Sequence, residues 1–264
     1  MKRSLIILSV AVAVLLAACT PPGPSPSGVA KGFDACAAPN TSNMSAWRSS
    51  PYTSLGVYIG GANRGCAQPN LTASWIGNVT AQGWKLMPIW VGPQASCTTL
   101  GGTTKITSDP ALATHEGAVQ AVAAANVADA LALGWLAPIY YDMEAYPRGG
   151  QCTAAVQAFT TGWAYALHQR GYRAGYYSSL CSGILDQAAT WGNPQYIPVD
   201  AVWIAAWNNS PNIFGFGAPC ALADNMWGTH QRVHQYVGSH NESYGGVTIN
   251  IDTNAVDGPT SPAS

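Results

Sequence analysis

Eight short apolar runs, separated by helix-like or turn-rich stretches, constrain this chain more than any other feature. They are Val29–Cys36, Ser54–Gly61, Trp84–Gly92, Ala137–Tyr146, Tyr172–Ser179, Ala201–Asn208, Arg232–Gly238 and Gly246–Asn254. Helical patterning fills several of the gaps: Leu71–Gln82, Pro110–Leu133, Thr153–Arg170 and, more weakly, Leu180–Thr190. Asp109 before Pro110 is a good helix start, and Gly134 and Gly171 stand where helices stop. Strands alternating with helices argue a parallel α/β sheet. Eight such units predict a single closed (β/α)8 barrel of the TIM type, irregular in its last units around Pro211–Thr229. An open doubly wound sheet is the alternative. No G-x-G-x-x-G follows a strand, which weakens a nucleotide-binding version of it.

The barrel is expected to span residues 29–258. Before it, Met1-Lys2-Arg3-Ser4 is a basic start and Leu5–Leu16 an apolar run too short for an ordinary membrane span. Leu16-Ala17-Ala18-Cys19 follows at once, so residues 1–18 read as an export signal with the pattern of a bacterial lipobox, and Cys19 as its lipidated residue. A plain cleavable signal is the alternative. Residues 19–28 and 259–264 are rich in Pro, Ser and Gly and read as a tether and a flexible tail. Acyl chains at Cys19 would anchor the protein to a membrane.

Seven cysteines less Cys19 leave Cys36, Cys66, Cys97, Cys152, Cys181 and Cys220. Export places them where disulfides persist. Six cysteines allow 15 pairings, and sequence alone does not choose among them. All six fall near or after strand ends, which suggests bridges between neighbouring loops of one rim, with Cys36–Cys66, Cys97–Cys152 and Cys181–Cys220 as the expected pairs. There is no C-x-x-C and no histidine pair at ligand spacing, so neither a metal nor a cofactor is expected. Charged residues make up 9% of the chain and the net charge is −1, with no basic stripe; nucleic acid is not an expected partner. A monomer is expected.

The chemistry is expected where the fourth run ends, at Tyr140-Tyr141-Asp142-Met143-Glu144. Side chains two apart on a strand share a face, with carboxylate bases roughly 6–7 Å apart. Two carboxylates that close do not both ionise easily, and one is held protonated. In a parallel barrel the reacting groups collect at the C-terminal strand ends. Asp34 ends the first run, Trp207 and Asn208 the sixth, and Asn250, Asp252 and Asn254 share a face of the eighth. Asp34, Asp142, Glu144 and Asp252 are therefore the candidate catalytic residues, although an aspartate after a strand also serves as a helix cap. Trp207, Gln235, Tyr58, Trp90 and Asn254 are the candidate ligand contacts. The ten Trp and twelve Tyr either fill the core or line a sugar cleft. Tyr176 shares a face with Ser178 and is read as reaching inward, and His234 as a histidine more often structural than catalytic. No G-x-S-x-G is present, which argues against serine hydrolase chemistry.

Gly32-Phe33-Asp34, Asp142-Met143-Glu144, Trp203-Ile204-Ala205-Ala206-Trp207, Gln235-Tyr236 and Asp252-Thr253-Asn254, in that order, resemble family 25 glycoside hydrolases. Those are barrel lysozymes that cut peptidoglycan between N-acetylmuramic acid and N-acetylglucosamine. The chain resembles still more closely the domain of unknown function 1906, a glycoside-hydrolase-like domain of secreted actinobacterial proteins, over residues 29 to 258. The resemblance implies Glu144 as general acid, Asp142 orienting a substrate N-acetyl group that itself acts as nucleophile, and Asp34 and Asp252 tuning charge and holding hydroxyls. It implies a lipoprotein on the extracytoplasmic face of an actinobacterial envelope, with envelope polysaccharide or peptidoglycan fragments as its partner. The alternative is a non-catalytic glycan-binding or envelope-regulating module on the same fold. Two features depart from the lysozyme pattern: Trp207 stands where a tyrosine is usual, and the six cysteines are not a lysozyme feature.

Overall fold

The structure, a computed structural model, describes residues 28–261. The expected signal, Cys19 and most of the tether lie outside the described residues. Eight strands close a barrel in chain order: β1 Ala30–Asp34, β2 Ser54–Gly60, β3 Lys85–Trp90, β4 Pro138–Asp142, β5 Arg173–Ser179, β6 Ala201–Ala205, β7 Arg232–Tyr244 and β8 Val247–Asp257. The mixed α/β class and the closed barrel agree with the sequence reading. The direction of the last strand does not. β1 to β7 pair in parallel, but β8 runs antiparallel to both β7 and β1. A parallel crossover needs a dozen or more residues, whereas Gly245-Gly246 alone join β7 to β8. Both glycines have positive φ, 57° and 79°, as a tight two-residue hairpin requires.

Helices α1 Thr41–Ala46, α2 Ala73–Ala81, α3 Pro110–Ala130, α4 Gly150–Gln169 and the short α5 Leu185–Ala188 cover the first five strands. Local chemistry sets their starts: the Asn40, Thr72 and Asp109 side chains each accept a first-turn N–H. The segment expected as a weak helix at Leu180–Thr190 is a π-helical turn, Leu180–Ile184, running into α5. Among the described residues no helix lies between β6 and β7.

Two hydrophobic layers hold the fold. Met87, Ile89, Tyr140, Trp203, Val233 and Val256 pack inside the barrel. A larger layer, including Phe33, Leu55, Tyr141, Phe159 and Trp163, lies between the strands and the helices. The disulfides are Cys36–Cys66, Cys97–Cys152 and Cys181–Cys220, the pairing expected from neighbouring loops. Each ties the loop after an odd-numbered strand to the segment after the next strand. Closing chain separations of 30, 55 and 39 residues, each contributes roughly 3–4 kcal/mol in the chain-entropy view. The eight strands, the three disulfides and both layers fall within residues 28–261. Pro259–Ser261, expected as part of a flexible tail, instead plug the barrel floor. Ser261 exchanges two backbone hydrogen bonds with Leu86, its hydroxyl donates to Leu133 O at 2.7 Å, and Tyr140 donates to Pro259 O at 2.9 Å.

The tightest helix contact is α3 on α4. A Cβ at Gly117 would come 2.0 Å from Phe159 O, and one at Gly162 would come 1.9 Å from Thr114 O. In an open helix, glycine to alanine gains up to about 1 kcal/mol. At this crossing the sign inverts. Gly162→Val is predicted to lower unfolding free energy by about 3 kcal/mol or more in denaturant titration. Gly77→Ala on exposed α2, where a Cβ meets nothing within 4 Å, should be neutral or stabilising.

Candidate active site

Antiparallel closure places Asp34 of β1 directly opposite Asp252 of β8 in the register. Such residues share a face with Cβ atoms about 4.5–5.5 Å apart. Because β8 runs downward, Asp252 reaches the rim from the middle of its strand, so the rule that polar residues come late in a run finds it for the wrong reason. Asp34 is buried. Its carboxylate accepts from Asn254 Nδ2 at 2.7 Å, Tyr58 OH at 3.2 Å and Gln235 Nε2 at 3.3 and 3.4 Å. Gln235 Nε2 also lies 3.4 Å from Asp252 Oδ2. Burial first, then the Asp252 charge, raises the Asp34 pKa from 3.8 to about 7 against the pull of those donors. Burial also raises Asp252, while a hydrogen bond from Asp34 and the nearby His240 draw it down. The two acids therefore hold one proton between them near neutrality.

Asp142 ends β4 with its side chain inward, and Glu144 follows two residues beyond the strand. Burial, then Glu144 and then Asp34 hold the Asp142 pKa well above the usual carboxylate range. Its Oδ1 takes no hydrogen bond from any described residue. Desolvation, then Asp252, raises Glu144 as well. The loop carrying Glu144 is clamped from both sides. Gln94, buried after β3, donates to Asp142 O at 2.8 Å and accepts from Glu144 N at 2.7 Å. Downstream, Ser182 bridges the backbone of Tyr146, and buried Asp186 accepts from Tyr146 OH, Arg148 Nε and Thr153 Oγ1.

All four carboxylates line one cavity of about 350 Å³, with Tyr58 and the Cys36–Cys66 bridge in its wall. Glu144 is shared with a second depression of about 400 Å³, walled by Ala145, Tyr177, Leu180 and Trp207. Both volumes suit a sugar ring. Trp207 is 66% exposed and its Nε1 donates to Gln235 Oε1 at 3.0 Å. One face of the indole lies against Gly238, where a Cβ would meet the ring at 3.1 Å.

Several candidates are placed differently from the sequence reading. Trp90 is not in the cleft: it is buried on the outer side of β3, where its Nε1 donates to Gln120 of α3 at 2.9 Å. Gln235 and Asn254 are buried beneath the mouth. They hold carboxylates and indoles, Asn254 accepting from Trp203 Nε1 at 2.8 Å, and neither is among the residues lining the two hollows. Tyr176 faces outward; its neighbour Tyr177 points in and donates to Gln235 Oε1 at 3.0 Å. His234 is fully buried between the carbonyls of Ala206 and Asn212, a structural position. Tyr177 and Gln94 were missed. A Tyr-Tyr doublet is ambiguous by one register step, and Gln94 in a Gly-Pro-Gln loop carries no periodicity.

The family model for the Rv2525c-like, glycoside hydrolase-like domain matches residues 45–256. Among solved structures, an uncharacterized protein of B. stearothermophilus aligns with a TM-score of 0.58 at 18% identity, covering 86% of this chain and 95% of its own. The Tat-secreted protein Rv2525c of Mycobacterium tuberculosis, solved with L-tartrate, aligns with a TM-score of 0.55 at 18% identity, covering 87% and 95%. The spore cortex lytic enzyme SleM of Clostridium perfringens aligns with a TM-score of 0.57 at 14% identity, covering 86% and 67%. At these identities the likeness is one of fold. No curated protein matches the chain.

The Asp34 proton has a consequence for stability. The folded state keeps it up to about pH 7, whereas an unfolded aspartate loses it near 3.8. The associated stability is fully present below pH 3.8 and is lost as pH rises through 7. Asp34→Asn mimics the protonated acid: its carbonyl still accepts from Asn254 and its amide donates toward Asp252. This variant should be more stable than the wild type at pH 8, by about 2–4 kcal/mol, with the difference vanishing near pH 4. Thermal melts across pH 4–8 check it.

Proposed function

We propose that this chain, which belongs to the Rv2525c-like glycoside hydrolase-like family, is an exported glycosidase that cleaves a glycan of the cell wall or envelope. The observation that carries the reading is the position of Glu144 on the ridge between a carboxylate-lined cavity and an aromatic-walled depression. A glycan lying across that ridge puts one sugar in each hollow and its linking oxygen over the carboxyl group. The fold is shared with a spore cortex lytic enzyme, which supports a polymeric wall substrate.

In the proposed reaction Glu144, which burial and the Asp252 charge make hold its proton more tightly than a free glutamate, gives that proton to the glycosidic oxygen as the bond to C1 breaks. An N-acetyl carbonyl oxygen of the sugar in the acidic cavity closes on C1, and Asp142, which lines that cavity, takes the amide N–H of that group. Ionised Glu144 then draws a proton from the water that opens the cyclic intermediate, which restores the acid. The Asp34–Asp252 pair, holding one proton, keeps the negative charge around C1 from rising further. Trp207 stacks on the sugar in the other hollow, its open face upward. Three disulfides suit an oxidising compartment. The Leu16-Ala17-Ala18-Cys19 pattern supports attachment to a membrane by acyl chains at Cys19.

Two measurements test this reading. Glu144→Gln should lower release of soluble products from purified wall glycan, followed by mass spectrometry, by about 10²-fold or more. Its melting temperature should not fall, since the side chain reaches solvent at the mouth, only its backbone meets Gln94, and the change removes a charge beside Asp252. Unchanged turnover would remove Glu144 from the mechanism, and saturable binding with no product from either protein would favour the non-catalytic module. Trp207→Ala should weaken glycan affinity about tenfold, a loss of about 1.4 kcal/mol, read by calorimetry.

A further inference from the structure

The barrel end opposite the carboxylates carries a second, unrelated group of features. Trp135 is 74% exposed and the adjacent Leu136 is 41% exposed. They lie in the loop from α3 to β4, whose backbone is left-handed at Ala132 (φ 56°), Gly134 (φ 84°) and Leu136 (φ 61°). Two non-glycine residues in that region within five positions are locally unfavourable, and such strain persists only where surrounding structure enforces it. Gly171 provides part of that enforcement. The indole lies so close that a Cβ there would come 2.2 Å from the ring, and Gly171 O accepts from Leu136 N at 2.9 Å. An apolar Trp-Leu pair is thus held outward.

Cations stand at the same end of the barrel, with Arg170 beside the indole. Lys31, Arg48, Lys85, Arg170 and Arg173 all stand at strand starts or in the segments leading into them. The carboxylates at this end are engaged: Asp129 with Arg170, Asp200 with His168 and Asp257 with His230. Among the described residues Lys31, Arg48, Lys85 and Arg173 form no salt bridge. Gly28 and the start of β1 also lie at this end, so the preceding chain joins the domain here. Eight residues, Thr20 to Ser27, separate Cys19 from Gly28, a contour of about 30 Å.

We propose that this end of the barrel is a membrane-contact face, on which Trp135 and Leu136 enter the interface of an anionic leaflet and Lys31 and Arg173 meet lipid phosphates. Tryptophan with flanking basic residues is the composition that favours a bilayer interface. A sugar platform would instead need free acceptors beside the ring, and the one carboxylate in the hollow by Trp135 is tied to Arg170 and Tyr172. The carboxylate mouth then points away from the membrane. The proposal rests on the exported, envelope-bound reading but not on catalysis.

The test uses residues 28–264, which lack Cys19, sedimented with large unilamellar vesicles. Partition onto phosphatidylglycerol vesicles is expected at low salt, with loss in 0.5 M salt and little binding to phosphatidylcholine. Trp135→Ala with Leu136→Ser, and separately Arg173→Glu with the exposed Lys31→Glu, should each lower the partition coefficient at least tenfold. Trp207→Ala, on the opposite end, should leave it unchanged. No binding to phosphatidylglycerol, or binding indifferent to both double variants, overturns the proposal. So does binding of a chitin oligosaccharide that Trp135→Ala abolishes, which would assign the indole to a glycan. Product release by the wild type from wall glycan is read separately, so either proposal can fail while the other stands.

Discussion

The site depends on Asp34 and Asp252 being forced together by the way the barrel closes. Their opposition follows from backbone register, not from any affinity between the groups. Like charges that close repel, and burial makes ionisation dearer still. The structure answers with neutral donors: Gln235, Asn254 and Tyr58 converge on Asp34, while Tyr177, Trp207 and Trp203 fix the orientation of the two amides. Gly56 clears the space, since a Cβ there would meet both Asp34 and Trp203 within 2.8 Å. A network with no buried cation leaves protonation as the way to relieve the repulsion, and that is what an acid catalyst needs from its surroundings.

Around this core the chain keeps its two barrel ends chemically distinct. At the mouth, disulfides, the Gln94 clamp and the buried Asp186 hub hold irregular loops rigid without regular structure. At the floor, Pro259–Ser261 bond to Leu86, Leu133 and Tyr140, and the exposed cations Lys31, Arg48 and Arg173 stand at this end.

Much of this was legible in the sequence because strand runs and helix caps are local signals. All eight runs became strands, Asp109-Pro110 began its helix, and six cysteines after strand ends paired between neighbouring loops. Strand direction was not legible: Gly245-Gly246 was read as the edge of a run, although two residues between strands force a hairpin. Facing was readable where a run had one polar parity, as for Asp142. It failed at the Tyr176-Tyr177 doublet, where both parities are aromatic, and at Trp90, whose run is apolar on both faces from Leu86 onward. Gln235 and Asn254 were found but misplaced, because a buried amide that orients a carboxylate looks in sequence like one that would hold a sugar.

The central claim is the shared proton, and a carboxyl-carbon NMR titration of aspartate-labelled protein measures it without substrate. Besides the elevated Asp142, one aspartate carboxyl should titrate near pH 7, and that transition should disappear on Asp34→Asn. If every aspartate in the wild type completes its titration below pH 5, the two acids are independent and the account of the site is wrong.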